Sequence, residues 1–210
     1  MTGSFSDDFQ AQLTQLMRLR RDVRRFRTDP VDEALIDQCL DAFQLAPSVG
    51  LCEPWRLVRI QSAGARAMAQ ENFKTANDRA LSGYDGDKAA LYSRLKLSGM
   101  SQAPVQFAVF CDDQTTKGHG LGAQTMPETR RYSVVSAITL MWLTSRALGL
   151  GLGWVSILDP DKLARDLDIP PDWSLVAYLC IGWPVDVSQT PELETLNWEK
   201  RRMTLPVENR

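Results

Sequence analysis

Residues 18–27 read RLRRDVRRFR, six arginines and one carboxylate, Asp22, in ten positions. Guanidiniums at this density have a definite chemistry. Two or three converging on one point bind a phosphate in bidentate fashion, a geometry lysine does not supply. Read as the end of a helix, the segment places Arg20 and Arg24 on one face and Arg21 and Arg25 on another, with Asp22 turned to a different side. The bland alternative is a solvated basic face paired with nearby Asp29, Asp32 and Glu33. Beside so many arginines a carboxyl should have its pKa lowered, unless it is turned away into a drier pocket.

Two further stretches bring backbone close to something. APSVGLCEPW at 46–55 packs prolines, a glycine and a serine around a helix-to-strand junction. It is either an ordinary turn or a loop whose amides approach a flat or anionic ligand. LGLGLGWVS at 148–156 is not a dinucleotide fingerprint, because its glycines follow a helix and precede a strand. Gly149 reads as a helix terminator. Gly151 and Gly153 let backbone approach closely, with Ser156 two residues into the following strand, WVSIL at 154–158. A close-packed strand is the competing reading.

Other chemistries find little support. The four cysteines, Cys39, Cys52, Cys111 and Cys180, form no CxxC pair, and His119, in a glycine-rich loop, is the single histidine. Zinc is not expected, and reduced thiols used as small apolar side chains are. With 24 Lys and Arg against 26 Asp and Glu, the net charge of −2 argues against nucleic acid. The arginines are therefore a local feature, which suits a small anion. No apolar run reaches the 18 or more residues of a membrane span. The N-terminus lacks the pattern of a secretory signal, so a cytoplasmic protein is expected.

The elements that must position these residues alternate loosely along one domain of 210 residues, an α+β or three-layer α/β arrangement. Asp29-Pro30 predicts a helix start, with Leu35, Cys39, Leu40 and Phe43 on its apolar face. WRLVRI at 55–60 reads as a strand, followed by polar helical stretches at about 63–82 and 87–100. PVQFAVFC at 104–111 is a strand with Val105, Phe107, Val109 and Cys111 on one side. Residues 129–148 form a helix apolar nearly all round, buried in the domain or in a subunit interface. DPDKLARDL is a helix and SLVAYLCIGWP at 174–184 the last strand. Residues 185–210 read as an arm that gains order by lying on another surface.

In order and spacing, RRDVR at 20–24, APSVGLCEPW at 46–55, RLKLSG at 94–99, GLGWVSI at 151–157 and LCIGWP at 179–184 resemble the nitroreductase-fold flavoproteins. Within them the match is to the 5,6-dimethylbenzimidazole synthase family, over roughly residues 15–200. The Asp of RRDVR and the Ser of GWVS separate this subgroup from ordinary nitroreductases. The resemblance implies a three-layer α/β/α domain with a central mixed, mainly antiparallel sheet, and a homodimer holding FMN at its interface. Arg20, Arg21 and Arg24 would hold the flavin phosphate and ribityl chain, with Asp22 and Val23 among the contacts. Pro47 and Ser48 would lie against the isoalloxazine, Leu97 would come from the KLSG stretch, and Ser156 would reach the ring. Arg201 or Arg202 would add a phosphate contact.

The implied reaction consumes the flavin. Reduced FMN, supplied by a separate flavin reductase, is fragmented with dioxygen to products that include 5,6-dimethylbenzimidazole, the lower ligand of cobalamin, and erythrose 4-phosphate. Asp22 and Ser156 would be the catalytic residues and residues 72–100 a lid. One departure is Glu53, where the family usually carries glutamine. The alternatives are an FMN-dependent NAD(P)H nitroreductase or flavin reductase, and a non-catalytic flavin carrier.

Overall fold

The computed structural model describes residues 3–94 and 99–210. The sheet consists of β1 (Trp55–Arg59), β2 (Val105–Asp112), β3 (Gly151–Val155) and β4 (Trp173–Gly182), in the spatial order β1-β2-β4-β3 with every neighbouring pair antiparallel. Parallel pairing enters through the bridge between Asp22 and Leu152 at the β3 edge.

Alternation along β2 sorts the core into two layers. Val105, Phe107, Val109 and Cys111 face α2 (Glu33–Gln44) and α6 (Thr129–Ala147), where Ile36, Cys39, Phe43, Val134, Ile138 and Met141 complete one cluster. Ala108 and Phe110 face the other way, joined by Tyr178 and Cys180 of β4. That side is covered by α3 (Ala63–Leu81), α5 (Gly99–Gln102) and α7 (Pro160–Asp166). Helices on both faces of one sheet make the three-layer α/β/α domain.

Several local starts differ from the sequence reading, for identifiable reasons. Asp29 spends its carboxylate on Arg27 at 2.8 Å, and the Pro30 carbonyl accepts from Trp183 Nε1 at 3.1 Å. The chain stays extended until Asp32, whose Oδ1 caps α2 by accepting from Ala34 N–H at 2.9 Å. Strand β3 begins earlier than WVSIL, at Gly151, and ends at Val155, so Ser156 lies just beyond it rather than inside it. Helix α6 buries one face only, leaving Tyr132 57 % and Val135 38 % exposed. The helix α1 (Asp7–Leu19) buries no residue and shows Phe9, Leu13 and Met17 at intervals of four along its solvent side, with the exposed Phe5 just ahead of its first turn.

The largest correction concerns the arginines. Helix α1 stops at Leu19, and Arg20 already has extended backbone, φ −68° and ψ 120°. Residues 20–27 then run along the sheet: Val23 N–H donates to Leu152 O at 3.1 Å and Arg27 N–H to Trp183 O at 2.8 Å. This docking needs the glycines. A Cβ on Gly153 would overlap the Val23 carbonyl oxygen, and one on Gly151 would come within 2.7 Å of Val23 Cγ2.

Candidate active site

In an extended segment, alternate residues share a face. Arg20, Asp22 and Arg24 therefore line up together, where a helix would have turned the acid away. Asp22 Oδ1 accepts a 2.8 Å hydrogen bond from Trp154 N–H, and its Oδ2 lies 3.7 Å from Arg24 Nε. Burial pushes the Asp22 carboxyl above the usual aspartate range, against the opposing pull of the Trp154 N–H, Arg24 and Arg20. Its side chain is still 41 % exposed, because it lines cavities that open to water on one side while protein surrounds it on the others.

The arginines are held individually. The Arg20 guanidinium stacks 4.6 Å over the Trp142 ring, a cation–π contact that fixes its plane. Arg21 donates from Nε to Gln189 O at 3.0 Å, with Nη2 also on that oxygen, and from Nη1 to Arg20 O at 2.6 Å. Arg24 is largely buried, its side chain 12 % exposed, and its Nε is 3.5 Å from Glu192 Oε2. Arg20, Asp22, Arg24 and Arg201 face one cleft of about 150 Å³, which Glu192 and Leu193 close from the side. Burial lowers the pKa of Arg20 despite the Asp22 charge, with Arg201 lowering it further; burial, Arg201 and Arg20 do the same to Arg21. So much crowded cation density fits an anionic ligand, and a phosphate group suits it by charge and by donor geometry.

A smaller recess of about 20 Å³ opens beneath Asp22, lined by Gly99, Gly153, Val155 and Cys180. The Cys180 thiol is pushed up to about 12 by burial and then by the Asp22 charge, so it stays neutral. A third cavity, about 320 Å³, lies between Arg21, Arg25, Ser188 and Glu192.

Of the residues singled out in the sequence, Arg20, Arg21, Asp22, Val23, Arg24 and Arg201 come together here. Ser156 is exposed and two residues beyond Trp154, about 7 Å along the chain at strand rise, outside the lining of these cavities. Leu97 lies outside the described residues. Pro47 and Ser48 are not brought to this cleft. Their loop ties to α6 through Val49 N–H on Ser133 Oγ at 3.0 Å, whereas Arg21 O accepts from Trp142 Nε1 at 3.1 Å. Along α6 those two points are about 14 Å apart at helical rise. The glycine of this loop serves packing: a Cβ on Gly50 would come within 2.8 Å of Leu121 O. Glu53 is ion-paired with Lys117.

Sequence reasoning missed Trp142 and Glu192, and gave Gly99 and Cys180 no role although both stand inside the quoted motifs RLKLSG and LCIGWP. Glu192 lies far along the chain in a polar arm with no pattern of its own.

Comparison with known proteins places the chain as a whole. Residues 17–183 match the model of the nitroreductase family. A 5,6-dimethylbenzimidazole synthase of Rhodospirillum rubrum is 50 % identical over 198 residues, covering 94 % of either chain. One of Rhodobacter capsulatus is 46 % identical over 201 residues, covering 96 % of this chain and 97 % of its own. Among solved structures, an iodotyrosine deiodinase bound to FMN and 3-iodo-L-tyrosine superposes with a TM-score of 0.76 at 18 % identity, covering 94 % of this chain and 99 % of that one, a likeness of fold. Matched from its arginine cleft to its last strand, the chain belongs to the nitroreductase family, in the branch of the 5,6-dimethylbenzimidazole synthases.

Proposed function

We propose that the chain fragments reduced FMN with dioxygen, yielding 5,6-dimethylbenzimidazole, erythrose 4-phosphate and a third fragment that carries the pyrimidine ring of the flavin. The observation that carries this reading is Asp22: a carboxyl of raised pKa, set among arginines and fixed by the Trp154 N–H, in a chain half identical to a protein named for that product. Bound reduced FMN supplies both the electrons for dioxygen and the carbon skeleton of the products.

The protein's own residues bind, orient and move protons. Arg20, Arg21 and Arg201, with Arg24, take the phosphate and ribityl end. Asp22 Oδ1 is held by the strand, which leaves Oδ2 to accept and return a proton at the ribityl-ring junction; burial, which raises its pKa, makes it a better proton acceptor than an exposed aspartate. Ser156 Oγ orients the ring from the end of β3.

Pro47 and Ser48, remote from the cleft of their own chain, reach the flavin from a second copy, so the working unit is a homodimer. The solvent-facing apolar stripe of α1 and the exposed Tyr132 and Val135 of α6 give such a copy a surface to cover. Residues 72–100, of which 95–98 lie outside the described residues, act as the lid. Their far end, Gly99, lines the recess beneath Asp22, and α4 (Gly86–Arg94) is clipped to the arm by Lys88 Nζ on Trp198 O at 3.3 Å. A closed lid keeps water from the reacting atoms. A separate reductase supplies the reduced flavin.

The test is aerobic incubation with FMN, NADH and a separate flavin reductase, followed by chromatography and mass detection of 5,6-dimethylbenzimidazole. FMN recovered intact while this chain alone oxidises NADH and reduces a nitroaromatic would move the assignment to a nitroreductase. Reduced FMN bound and released intact would make it a carrier.

A further inference from the structure

The arm that closes the arginine cleft brings a negative charge with it. Residues 185–201 are anchored at several points: Val185 N–H on Arg25 O at 3.2 Å, Arg25 Nη2 on Asp186 Oδ2 at 2.9 Å, and Arg21 on Gln189 O. Beyond α8 (Glu192–Thr195), Trp198 packs edge-on against Tyr84, ring centroids 5.6 Å apart. Between these anchors Glu192 Oε2 stands 3.5 Å from Arg24 Nε, and Asp22 Oδ2 stands 3.7 Å from the same nitrogen. Arg24 thus faces two carboxylates, only one of which the proposed chemistry uses. Glu192 also borders both the 150 Å³ cleft and the 320 Å³ cavity, and its side chain is 35 % exposed, with water on one side of it.

We propose that Glu192 is a resident counter-anion: it pairs with Arg24 before the ligand arrives, yields that arginine to the phosphate, and thereby limits affinity for phosphate-bearing ligands. The inference rests on the reading of FMN as substrate. A site that retains its flavin gains from every cation it can turn on the phosphate. A site that must discharge a phosphate-bearing fragment after each turnover gains from a carboxylate that returns to the arginine. Glu192 and Arg201 then act as opposed charges on one arm, one repelling and one holding the same group.

Binding of oxidised FMN tests this without turnover, by flavin fluorescence at fixed ionic strength, with riboflavin as the phosphate-free probe. Glu192→Gln should bind FMN about three- to tenfold more tightly than the unmodified chain, with riboflavin unchanged. Glu194→Gln, which removes the same charge two residues away, should change neither. Unchanged or weaker FMN binding in Glu192→Gln would overturn the proposal, as would equal tightening toward riboflavin or the same gain in Glu194→Gln. Product formation is scored separately: a chain that yields no 5,6-dimethylbenzimidazole but shows the Glu192 shift contradicts the proposed reaction and leaves the counter-anion standing.

Discussion

Asp22 and Trp154, 132 positions apart in sequence, are joined by a 2.8 Å hydrogen bond from the Trp154 backbone N–H to Asp22 Oδ1. The bond is made to strand β3 through its backbone, so it fixes the carboxyl whatever side chain position 154 carries. Asn keeps an oxygen there. Asp22→Asn should therefore fold and bind FMN at least as tightly as the unmodified chain, while formation of 5,6-dimethylbenzimidazole falls by about a hundredfold or more, measured by product mass.

The same variant gives a stability prediction. Because burial raises the Asp22 pKa, the folded chain holds that proton more tightly than the unfolded chain does. Stability from the group is fully present below the ordinary aspartate value of about 3.9 and is lost as pH rises through the folded pKa. Asn carries no ionisation to penalise. Urea unfolding should find Asp22→Asn as stable as the unmodified chain or more so at pH 8, with the gap narrowing as pH falls.

Most of the sheet was legible from alternation. Val105, Phe107, Val109 and Cys111 sit in one core cluster, as their period of two implies. The arginine segment was not legible, because its conformation is set by a partner strand over a hundred residues away. Four-residue spacing suggested a helix, and docking against Gly151 and Gly153 imposed a strand instead. Of the two outcomes open for the Asp22 pKa, burial decides for the drier pocket, and spacing could not choose because it reveals neighbouring charges but not depth. Asp29 was misread as a cap because its ion pair with Arg27 is a local competitor that the pattern does not rank.

Close backbone approach gives a third prediction. Gly153→Ala would drive a methyl into the Val23 carbonyl oxygen, on backbone that cannot retreat without breaking the Asp22 bridge. Overpacking of this kind costs about 1–3 kcal/mol. Denaturant melts should show a loss of that size together with weaker FMN binding. Gly99→Ala is the contrast: its Cβ would meet the Phe26 ring at 3.1 Å, the Arg24 carbonyl at 3.6 Å and Cys180 Cβ at 3.6 Å, so a ring shift of a few tenths of an ångström admits it.

A buried pair underpins the recess from below. Tyr178 OH donates to Gln106 Oε1 at 2.6 Å, while Gln106 Nε2 donates to Met100 O at 2.9 Å and so holds α5 to the sheet. Tyr178→Phe leaves that buried oxygen without its donor, a loss of about 1–3 kcal/mol. Thermal unfolding should report it as a lowered Tm, and Gln106→Leu in the Tyr178→Phe background should lower it further, because the bond to Met100 O goes with the amide.

The lid and arm share an aromatic contact, Tyr84, Tyr92 and Trp198, with Lys88 Nζ 4.8 Å over the Trp198 ring. Trp198→Ala should loosen both together. The expected readout is a several-fold rise in hydrogen peroxide released per flavin oxidised, at the expense of 5,6-dimethylbenzimidazole; an unchanged ratio would show that the arm does not help to exclude water.

The most direct test of the central claim is a single turnover: FMN reduced anaerobically, bound to the protein, then mixed with oxygenated buffer, with flavin and 5,6-dimethylbenzimidazole both quantified. The account predicts that flavin disappears as 5,6-dimethylbenzimidazole forms in equal amount, and that Asp22→Asn returns intact FMN. Full recovery of FMN from the unmodified chain, with no 5,6-dimethylbenzimidazole, would contradict it.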